Sequence, residues 1–264
     1  MARAGTLLPS RGHDIVRLPP RFEGDALKRL DRSLISGLPP FQGLSANDLD
    51  RMLKKARSLH VPRGDSIFEQ DARADFFFLL LVGHARVVKT TPAGQQVVVR
   101  YINPGELLGI AHALGHSVYP ASAIAADDCV VLAWPDALWP QFAADFPDFG
   151  TSTYRTVGSR LQDAHTRVVE MATEQVEQRV ARALLRLAET SGRKVEDGVQ
   201  IDFPISRQDI AEMTGTTLHT VSRLLTAWGL KGLVRSGRQK VTVVEPRGLL
   251  QLAEGGDRQG RAGT

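Results

Sequence analysis

Residues 205–229 read ISRQDIAEMTGTTLHTVSRLLTAWG, and this stretch decides the class of fold. Ser206 followed by Asp209 is a variant of the capping box, a pattern that begins a helix. Gly215 supplies the positive φ that a tight turn between two helices needs, and Thr217 can cap the second helix. The stretch therefore predicts a helix-turn-helix, whose second helix has the geometry to enter a DNA major groove.

The outward polar side chains of the predicted second helix have the chemistry that DNA recognition requires. Hydroxyl groups at a helix N-terminus can donate to phosphate, and the helix dipole favours an anion there. We expect Thr217 and Thr220 to make such contacts. His219, Ser222 and Arg223 are expected to reach base edges, because an arginine can form paired hydrogen bonds to guanine.

A basic hairpin is predicted directly after the second helix. Residues 235–244 read RSGRQKVTVV, a strand–turn–strand pattern with a basic tip. Such a wing can grip phosphates, here through Arg238 and Lys240. The alternative is a solvated basic hairpin beside an ordinary helical pair. The agreement of cap, turn glycine, apolar pattern and outward polar residues favours DNA binding.

Upstream of these helices, apolar residues recur at alternating steps of three and four. This is the a/d seam of a heptad pattern, with polar residues on both sides of it. The seam is narrow and contains a small alanine, which favours a helix pairing with its own copy across a two-fold axis. Packing of one amphipathic helix on its own domain is the alternative. The expected dimer interface consists of Tyr154, Val157, Leu161, Ala164, Val168 and Met171.

The region before the seam is typical of a compact antiparallel β-domain. Short β-branched and aromatic runs alternate with turn residues, and no helix-length pattern fits within residues 61–102. The clearest runs are Leu59–Val61, Phe76–Leu81, Ala85–Lys89, Gln96–Tyr101 and Ala121–Ala133.

Composition excludes several classes of protein. The 264 residues are 42% hydrophobic and 23% charged, which excludes wholesale disorder. The net charge of +4 permits an anionic partner. The longest apolar run, Phe76–Val82, is too short to cross a membrane, so we expect a cytoplasmic protein without a membrane partner. Cys129 is the only cysteine, which excludes an intramolecular disulfide and an iron–sulfur cluster.

The order of β-domain, long helix and winged helix-turn-helix resembles the CRP/FNR superfamily of bacterial transcription regulators. The runs at residues 205–211 and 220–223 carry the resemblance, together with Gly105-Glu106-Leu107. The resemblance implies that Arg207, next to Ser206, contacts phosphate, and that Ser222 and Arg223 read bases. His219 stands where many members have a glutamate, so we do not predict the standard half-site.

The resemblance and the patterns together predict an α+β fold that binds a palindromic DNA operator as a homodimer. It has a cyclic-nucleotide-binding-like β-roll, a long dimerisation helix and a C-terminal winged helix-turn-helix. An activator of this type would also contact RNA polymerase. The expected segments are a flexible extension (1–37), the β-roll sensor (38–145), the dimerisation helix (146–172), the DNA-binding domain (173–248) and a tail (249–264).

The sequence argues against cyclic AMP as the effector. The resemblance implies that members of the superfamily that bind cyclic AMP contain a Gly-Glu-Leu run, followed by an Arg-Ser/Thr-Ala run whose arginine holds the phosphate. Here the second run reads Pro120-Ala121-Ser122-Ala123, and residues 102–124 contain no lysine or arginine. A buried phosphate without a cation is poorly compensated. Glu106 is then expected to stabilise a turn.

Histidines are the remaining candidates for sensing. His112 and His116 are four residues apart and could share one side of a short helix, and His165 lies beside the seam. Imidazole can ligate haem iron, and some CRP/FNR members that respond to nitric oxide or carbon monoxide use haem. The LHTVSR run is also similar to denitrification regulators of the NnrR type. We therefore expect an effector pocket at Glu106, His112, His116 and His165, with haem as a candidate cofactor and a redox or gas input such as nitric oxide.

Several alternatives remain open at this point. The histidines can be ordinary surface or hydrogen-bonded residues, and Cys129 a small buried hydrophobe. The protein can be a ligand-independent regulator controlled by its expression level, or a receptor for an unidentified small molecule. An enzyme is not expected, because no phosphate loop, nucleophile motif or metal-ligand set is present. Asp127 and Asp128 form an acidic pair, but adjacent strand residues point to opposite faces, so we do not expect them to share acid–base chemistry.

Overall fold

The N-terminal half of the described chain folds into two antiparallel four-stranded sheets. This is a computed structural model, and it describes residues 31–256. Alternating turns and β-branched runs form these strands, as the sequence predicts. The strands are β1 (Arg57–Val61), β2 (Ser66–Phe68), β3 (Phe76–Val82), β4 (Ala85–Thr90), β5 (Gln96–Ile102), β6 (Leu107–Leu108), β7 (Ser122–Ala125) and β8 (Cys129–Pro135). The strand orders of the two sheets are β1-β8-β3-β6 and β2-β7-β4-β5.

Two helices and the start of a third cover one face of the β-roll. Helix α1 spans Ala46–Leu53 and α2 spans Trp139–Asp145. Trp134 is fully buried beneath them, and its indole Nε1 donates to the Met52 carbonyl at 2.9 Å. This contact joins β8 to α1 and gives the one polar atom of a large aromatic side chain a partner.

The predicted run over residues 121–133 is two strands, because the chain turns between β7 and β8. His84 Nδ1 lies 3.1 Å from Asp127 Oδ2, and Asp128 Oδ1 accepts from the Arg63 backbone N–H at 3.0 Å. The two carboxylates therefore lie in a turn and not on a strand, and each is occupied by structural contacts.

Both ends of the described chain differ from the predicted segments. Residues 1–30 and 257–264 lie outside the described residues. Within residues 31–256, Ile35 is fully buried against the helical face of the β-roll, so the predicted flexible extension ends before residue 37. The predicted tail is wrong at residues 249–253, because helix α7 spans Pro246–Ala253 and buries Leu249 and Leu252.

Helix α3 connects the two halves of the molecule. It spans Pro147–Thr173, close to the predicted 146–172, and α4 (Val176–Ser191) follows after a short break. The Arg186 guanidinium of α4 makes two hydrogen bonds to the Glu170 carboxylate of α3, at 2.6 and 2.8 Å. Glu170 is buried, and this paired geometry fixes the angle at which α4 leaves α3. Within residues 31–256 no helix is long and apolar enough to span a membrane.

The C-terminal half packs helices against a small antiparallel sheet of order β11-β12-β10-β9. Its core includes Val180, Leu184, Ile210, Val221 and Trp228. The helices are α4, α5 (Arg207–Thr214), α6 (Leu218–Leu230) and α7, and the strands are β9 (Gly192–Val195), β10 (Gly198–Ile201), β11 (Val234–Gly237) and β12 (Lys240–Val243).

Candidate functional site

Helix α5 begins with the predicted capping box. The Asp209 backbone N–H donates to Ser206 Oγ at 3.0 Å, and Asp209 Oδ2 accepts from the Ser206 backbone N–H at 2.8 Å. These reciprocal bonds satisfy two of the backbone donors that a helix start leaves free. The predicted helix start is confirmed.

The turn between α5 and α6 also follows the prediction. Gly215 has φ of 62°, a conformation in which glycine carries no steric penalty. Met171 of α3 lies over this turn, and a Cβ at residue 215 would be 2.9 Å from its Cε atom. The turn therefore needs glycine for its φ and also for the space it leaves to α3.

The first turns of α6 present polar side chains away from the core. Thr217 caps the helix by accepting from the Thr220 backbone N–H at 3.2 Å. His219 and Arg223 are exposed, and Ser222 is half-buried. The opposite side of the helix is anchored by Val221, Leu225 and Trp228, all fully buried. This anchoring fixes which side chains face outward.

The wing is a β-hairpin formed by β11 and β12, in which Gly237 pairs with Lys240. Its tip carries Arg238 and Gln239, and Arg238 and Lys240 are exposed. A cleft of about 340 Å³ separates the wing from α5 and α6. Ser206 and Arg207 at the start of α5, Leu218 of α6 and Arg238 of the wing line this cleft, so residues from three elements meet along one surface.

The surface is electropositive because its cations have no ionic partners. Among residues 31–256, no ion pair involves the exposed cations Arg207, Arg223, Arg238 or Lys240. By contrast, Arg235 pairs with Asp197. Uncompensated guanidinium and ammonium groups on one face are the electrostatic footprint of a nucleic-acid site.

Leu218 belongs to this surface, and the sequence analysis missed it. It is the first residue of α6, lines the cleft beside Arg207 and remains 42% exposed. An apolar side chain in this position can contact the methyl group of thymine. The sequence signal for this role is the position of Leu218 directly after Thr217, the residue that caps α6.

Two family models match the two halves of the chain. A Crp-like helix-turn-helix domain matches residues 178–252, and a cyclic nucleotide-binding domain matches residues 58–145. A curated relative, the cyclic AMP receptor protein of Thermus thermophilus, is 29% identical over 221 residues, which cover 84% of this chain and 99% of the relative.

This chain belongs to the CRP/FNR family of transcription regulators. The transcriptional activator protein FnrA of Stutzerimonas stutzeri is 24% identical over a match that covers 84% of this chain and 91% of FnrA. The structure of FixK2 from Bradyrhizobium japonicum matches with a TM-score of 0.66 and 21% identity, covering 75% of this chain and 96% of FixK2, and supports the fold. The relatives are transcription regulators and not enzymes. As a CRP/FNR regulator, this chain carries an effector-binding domain in addition to its DNA-binding domain.

In this CRP/FNR regulator, Glu106 lies between two arginines at the junction of the β-roll and α3. Its Oε1 accepts from the Asn103 backbone N–H at 3.0 Å, so it does stabilise the predicted turn. Its Oε2 pairs with Arg100 and lies 3.5 Å from Arg160, which also donates to the Leu107 carbonyl at 2.6 Å. Burial, with a contribution from Arg100, lowers the pKa of Arg160 to about 10. Arg160 therefore remains charged at neutral pH.

This junction corrects the inference drawn from residues 102–124 alone. That segment has no cation, but β5 and α3 bring Arg100 and Arg160 to Glu106 from outside it. Two guanidinium groups face one carboxylate. The site therefore has the cationic groups that an anionic ligand would need.

The short helix predicted to carry both His112 and His116 ends before His116. His112 begins a 3-10 helix that ends at Gly115, so His112 and His116 do not share the face of an α-helix. His112 Nδ1 is 3.1 Å from Asp136 Oδ2, and His165 is exposed on α3. Burial raises the pKa of Asp136, and the nearby His112 opposes that shift.

No hydrogen bond or ion pair of the described chain joins any of these histidines to Glu106, and no group of three metal-ligating side chains occurs within residues 31–256. The three histidines therefore do not form a multi-ligand metal cluster within residues 31–256.

The predicted seam lies on a mostly exposed face of α3. Tyr154, Leu161 and Val168 are 60%, 57% and 67% exposed, and Ala164 is also exposed. Val157 is half-buried against the β-roll and so has a partner within its own chain.

Cys129 is fully buried on β8 and donates from Sγ to the His84 carbonyl at 3.3 Å. Burial, aided by the nearby Asp127 carboxylate, raises the pKa of the Cys129 thiol to about 12. The interpretation of this residue as a small buried hydrophobe is confirmed.

Proposed function

We propose that this regulator binds a palindromic DNA site as a homodimer, with α6 of each protomer in the major groove. The observation that carries the proposal is the uncompensated basic surface around the cleft of α5, α6 and the wing. Arg207 of α5 and Arg238 of the wing line that cleft, and Arg223 is exposed on α6.

The surface divides into two roles. Ser206, Arg207 and Thr217 lie at helix N-termini, where backbone N–H groups and the dipole favour phosphate, and the wing cations extend the same backbone contacts. His219, Ser222 and Arg223 project from the first turns of α6 and read base edges. The exposed seam of α3 supplies the two-fold contact, which would place two α6 helices in successive major grooves.

Selection of preferred sites from random duplexes by the purified protein tests this proposal. We expect inverted repeats whose half-site centres are about one helical turn, roughly 34–36 Å, apart. Enrichment of single, unpaired half-sites would contradict the homodimer, and no enrichment at all would contradict the assigned DNA surface.

We further propose a redox or gas input such as nitric oxide. The LHTVSR run is similar to nitrogen-oxide regulators, and the single cysteine, Cys129, excludes the iron–sulfur cluster that oxygen-sensing members use. Absorption spectra with added haemin, before and after nitric oxide, test this input. A Soret band that shifts with the gas supports it, whereas a featureless spectrum with intact DNA binding contradicts haem-based sensing.

A small anionic effector is the second candidate, and the arginine pair at Glu106 favours it. An anion entering between β5 and α3 would replace Glu106 as the partner of Arg100 and Arg160, and so couple the β-roll to the connecting helix. Calorimetry with cyclic AMP and cyclic GMP tests this candidate, with the Arg160→Ala variant as the control. Heat that disappears in the variant supports it. Tight operator binding without any addition would instead indicate a regulator controlled by its expression level.

A further inference from the structure

The wing tip contains a backbone conformation that is unusual for its residue type. Gln239 is the second residue of the loop between β11 and β12, and its φ is 57°. Among residues 31–256, the only other residue besides glycine with a positive φ is Asp71. Aspartate is enriched several-fold in this left-handed region, whereas glutamine adopts it at a steric cost. Such conformations persist where surrounding contacts hold them, and they concentrate at functional sites.

Two hydrogen bonds hold Gln239 from different parts of the molecule. Its backbone carbonyl accepts from the Ile205 N–H at 3.2 Å, directly before Ser206, the N-cap of α5. Its side-chain Oε1 accepts from the guanidinium group of Arg63 at 2.6 Å. Gln239 also lines two clefts, the one beside α5 and α6 and a second one of about 390 Å³ that Arg63 shares. The wing tip is therefore fixed between α5 and the β-roll.

Arg63 reaches the wing because the DNA-binding half packs on the β4–β5 face of the β-roll. The Tyr101 ring of β5 stacks on the Phe203 ring, with centroids 4.2 Å apart. Arg86 of β4 pairs with Asp209, the carboxylate that also caps α5. These contacts bring the turn between β1 and β2, which carries Arg63, next to the wing tip.

The β1–β2 turn is itself held by the sheet behind it. The Arg63 backbone N–H donates to Asp128 Oδ1 at 3.0 Å, and the Gly64 N–H donates to the Ala125 carbonyl at 2.9 Å. Arg63 therefore provides a fixed point for the wing. Arg238 and Lys240 remain exposed in this arrangement, so the contact holds the wing tip without covering its cations.

We propose that Gln239 is a positioning residue for phosphate binding by the wing. Its left-handed backbone and its two hydrogen bonds order the loop so that the cations on either side of it, Arg238 and Lys240, face DNA in a fixed arrangement. An exposed hairpin tip is otherwise mobile, and ordering it during binding lowers the affinity. The role rests on the proposed DNA surface, and it adds a residue that carries no charge and acts through its neighbours.

Gln239→Gly tests this role without changing the net charge. Glycine accepts the same φ but lacks the side chain that Arg63 holds. The variant is expected to bind selected and random duplexes about three- to tenfold more weakly. Its salt slope is expected to fall by about one unit, because the wing cations contact fewer phosphates although none has been removed. The midpoint of urea unfolding is expected to be unchanged or higher, because glycine has no steric cost at this φ.

Asp71→Gly is the matched control, because it makes the same kind of substitution at the other positive φ, on the β-roll and away from both clefts. It is expected to bind DNA like the unmodified protein. A Gln239→Gly protein with unchanged affinity and salt slope would overturn the positioning role. A weaker affinity with an unchanged salt slope would also overturn it, and so would a lower unfolding midpoint.

A double-variant cycle with Arg63→Ala tests the same contact from its other side. Arg63→Ala is expected to weaken DNA binding, and the double variant is expected to bind no more weakly than Gln239→Gly, because both changes remove one hydrogen bond. Additive losses would show that Arg63 binds DNA by itself and would overturn the role of this contact. If the unmodified protein binds neither selected nor random duplexes, the proposed function fails, whereas the outcomes above reject the positioning role alone.

Discussion

Asp209 shows how one side chain can serve local and long-range structure together. Its carboxylate caps α5 through Ser206, a contact three residues away that the sequence alone predicts. The same carboxylate pairs with Arg86, 123 residues away. The loss of Asp209 would therefore weaken the helix start and the contact between the two halves at once.

Arg223 and Lys240 separate base reading from phosphate binding. Arg223→Ala is expected to weaken binding at the selected operator by about 1–3 kcal/mol and to relax the base preference at one position. Lys240→Ala is expected to weaken binding to all sequences similarly and to reduce the salt slope by about one unit. Titrations of specific and random duplexes at several salt concentrations measure both effects. Identical behaviour of the two variants would refute the division of roles.

Leu218 is expected to read a thymine methyl group. Replacing the contacted thymine by uracil removes one methyl, so the unmodified protein should lose about 0.8 kcal/mol of binding free energy. Leu218→Ala should bind both duplexes equally. Leu230→Ala is the matched control, because Leu230 lies at the other end of α6 and is 88% exposed. Equal sensitivity of Leu218→Ala and the unmodified protein would show that another residue meets the methyl.

Cys129 is expected to be chemically inert in the folded protein. Its pKa of about 12 and its burial leave almost no thiolate at pH 8, so alkylation by iodoacetamide should be slow until the chain is unfolded. Because the folded pKa is raised, ionisation of the unfolded thiol should lower the stability as the pH rises above about 9. Mass spectrometry after timed labelling measures the rate, and rapid labelling of native protein would contradict this environment.

The α5–α6 turn illustrates a short element in which backbone conformation and packing impose the same residue. Gly215→Ala is expected to lower the free energy of unfolding by about 1–2 kcal/mol, because alanine is strained at φ of 62° and its Cβ meets Met171. Gly229→Ala, within α6 and with only ordinary contacts around its Cβ, should instead stabilise by about 0.5–1 kcal/mol. Urea unfolding measures both, and equal shifts of the two variants would exclude the strain at residue 215.

Helix α3 is expected to organise the whole molecule as a dimer. Leu161→Asp places a charge on each side of the proposed two-fold contact and should weaken dimerisation by about 3 kcal/mol or more. Val169→Asp is the control on the same helix, since Val169 is 59% exposed but lies outside the seam. Sedimentation equilibrium measures the mass of each variant. A Leu161→Asp protein that remains dimeric would place the interface elsewhere.

Features that depend on neighbours a few residues apart follow directly from the sequence. The Ser206–Asp209 box, the positive φ of Gly215 and the period of the α3 seam are local patterns with direct physical causes. Helix α7 had such a signal too, since Pro246 stands at its first turn and Leu249 and Leu252 recur at helical spacing, although the segment was predicted as a tail.

Contacts between distant residues depend on how the elements pack against one another. Arg100 and Arg160 reach Glu106 from different elements, and Arg86 reaches Asp209 across the two halves of the chain. His112 and His116 are close in sequence, yet the helix ends between them at Gly115, so they do not share one helix face. Periodicity fixes the face on which a side chain lies, but only the packing of that face against another element brings charges together. For this reason the helix-turn-helix and its caps could be predicted from the sequence, whereas the charged junction at Glu106 and the docking of the two halves could not.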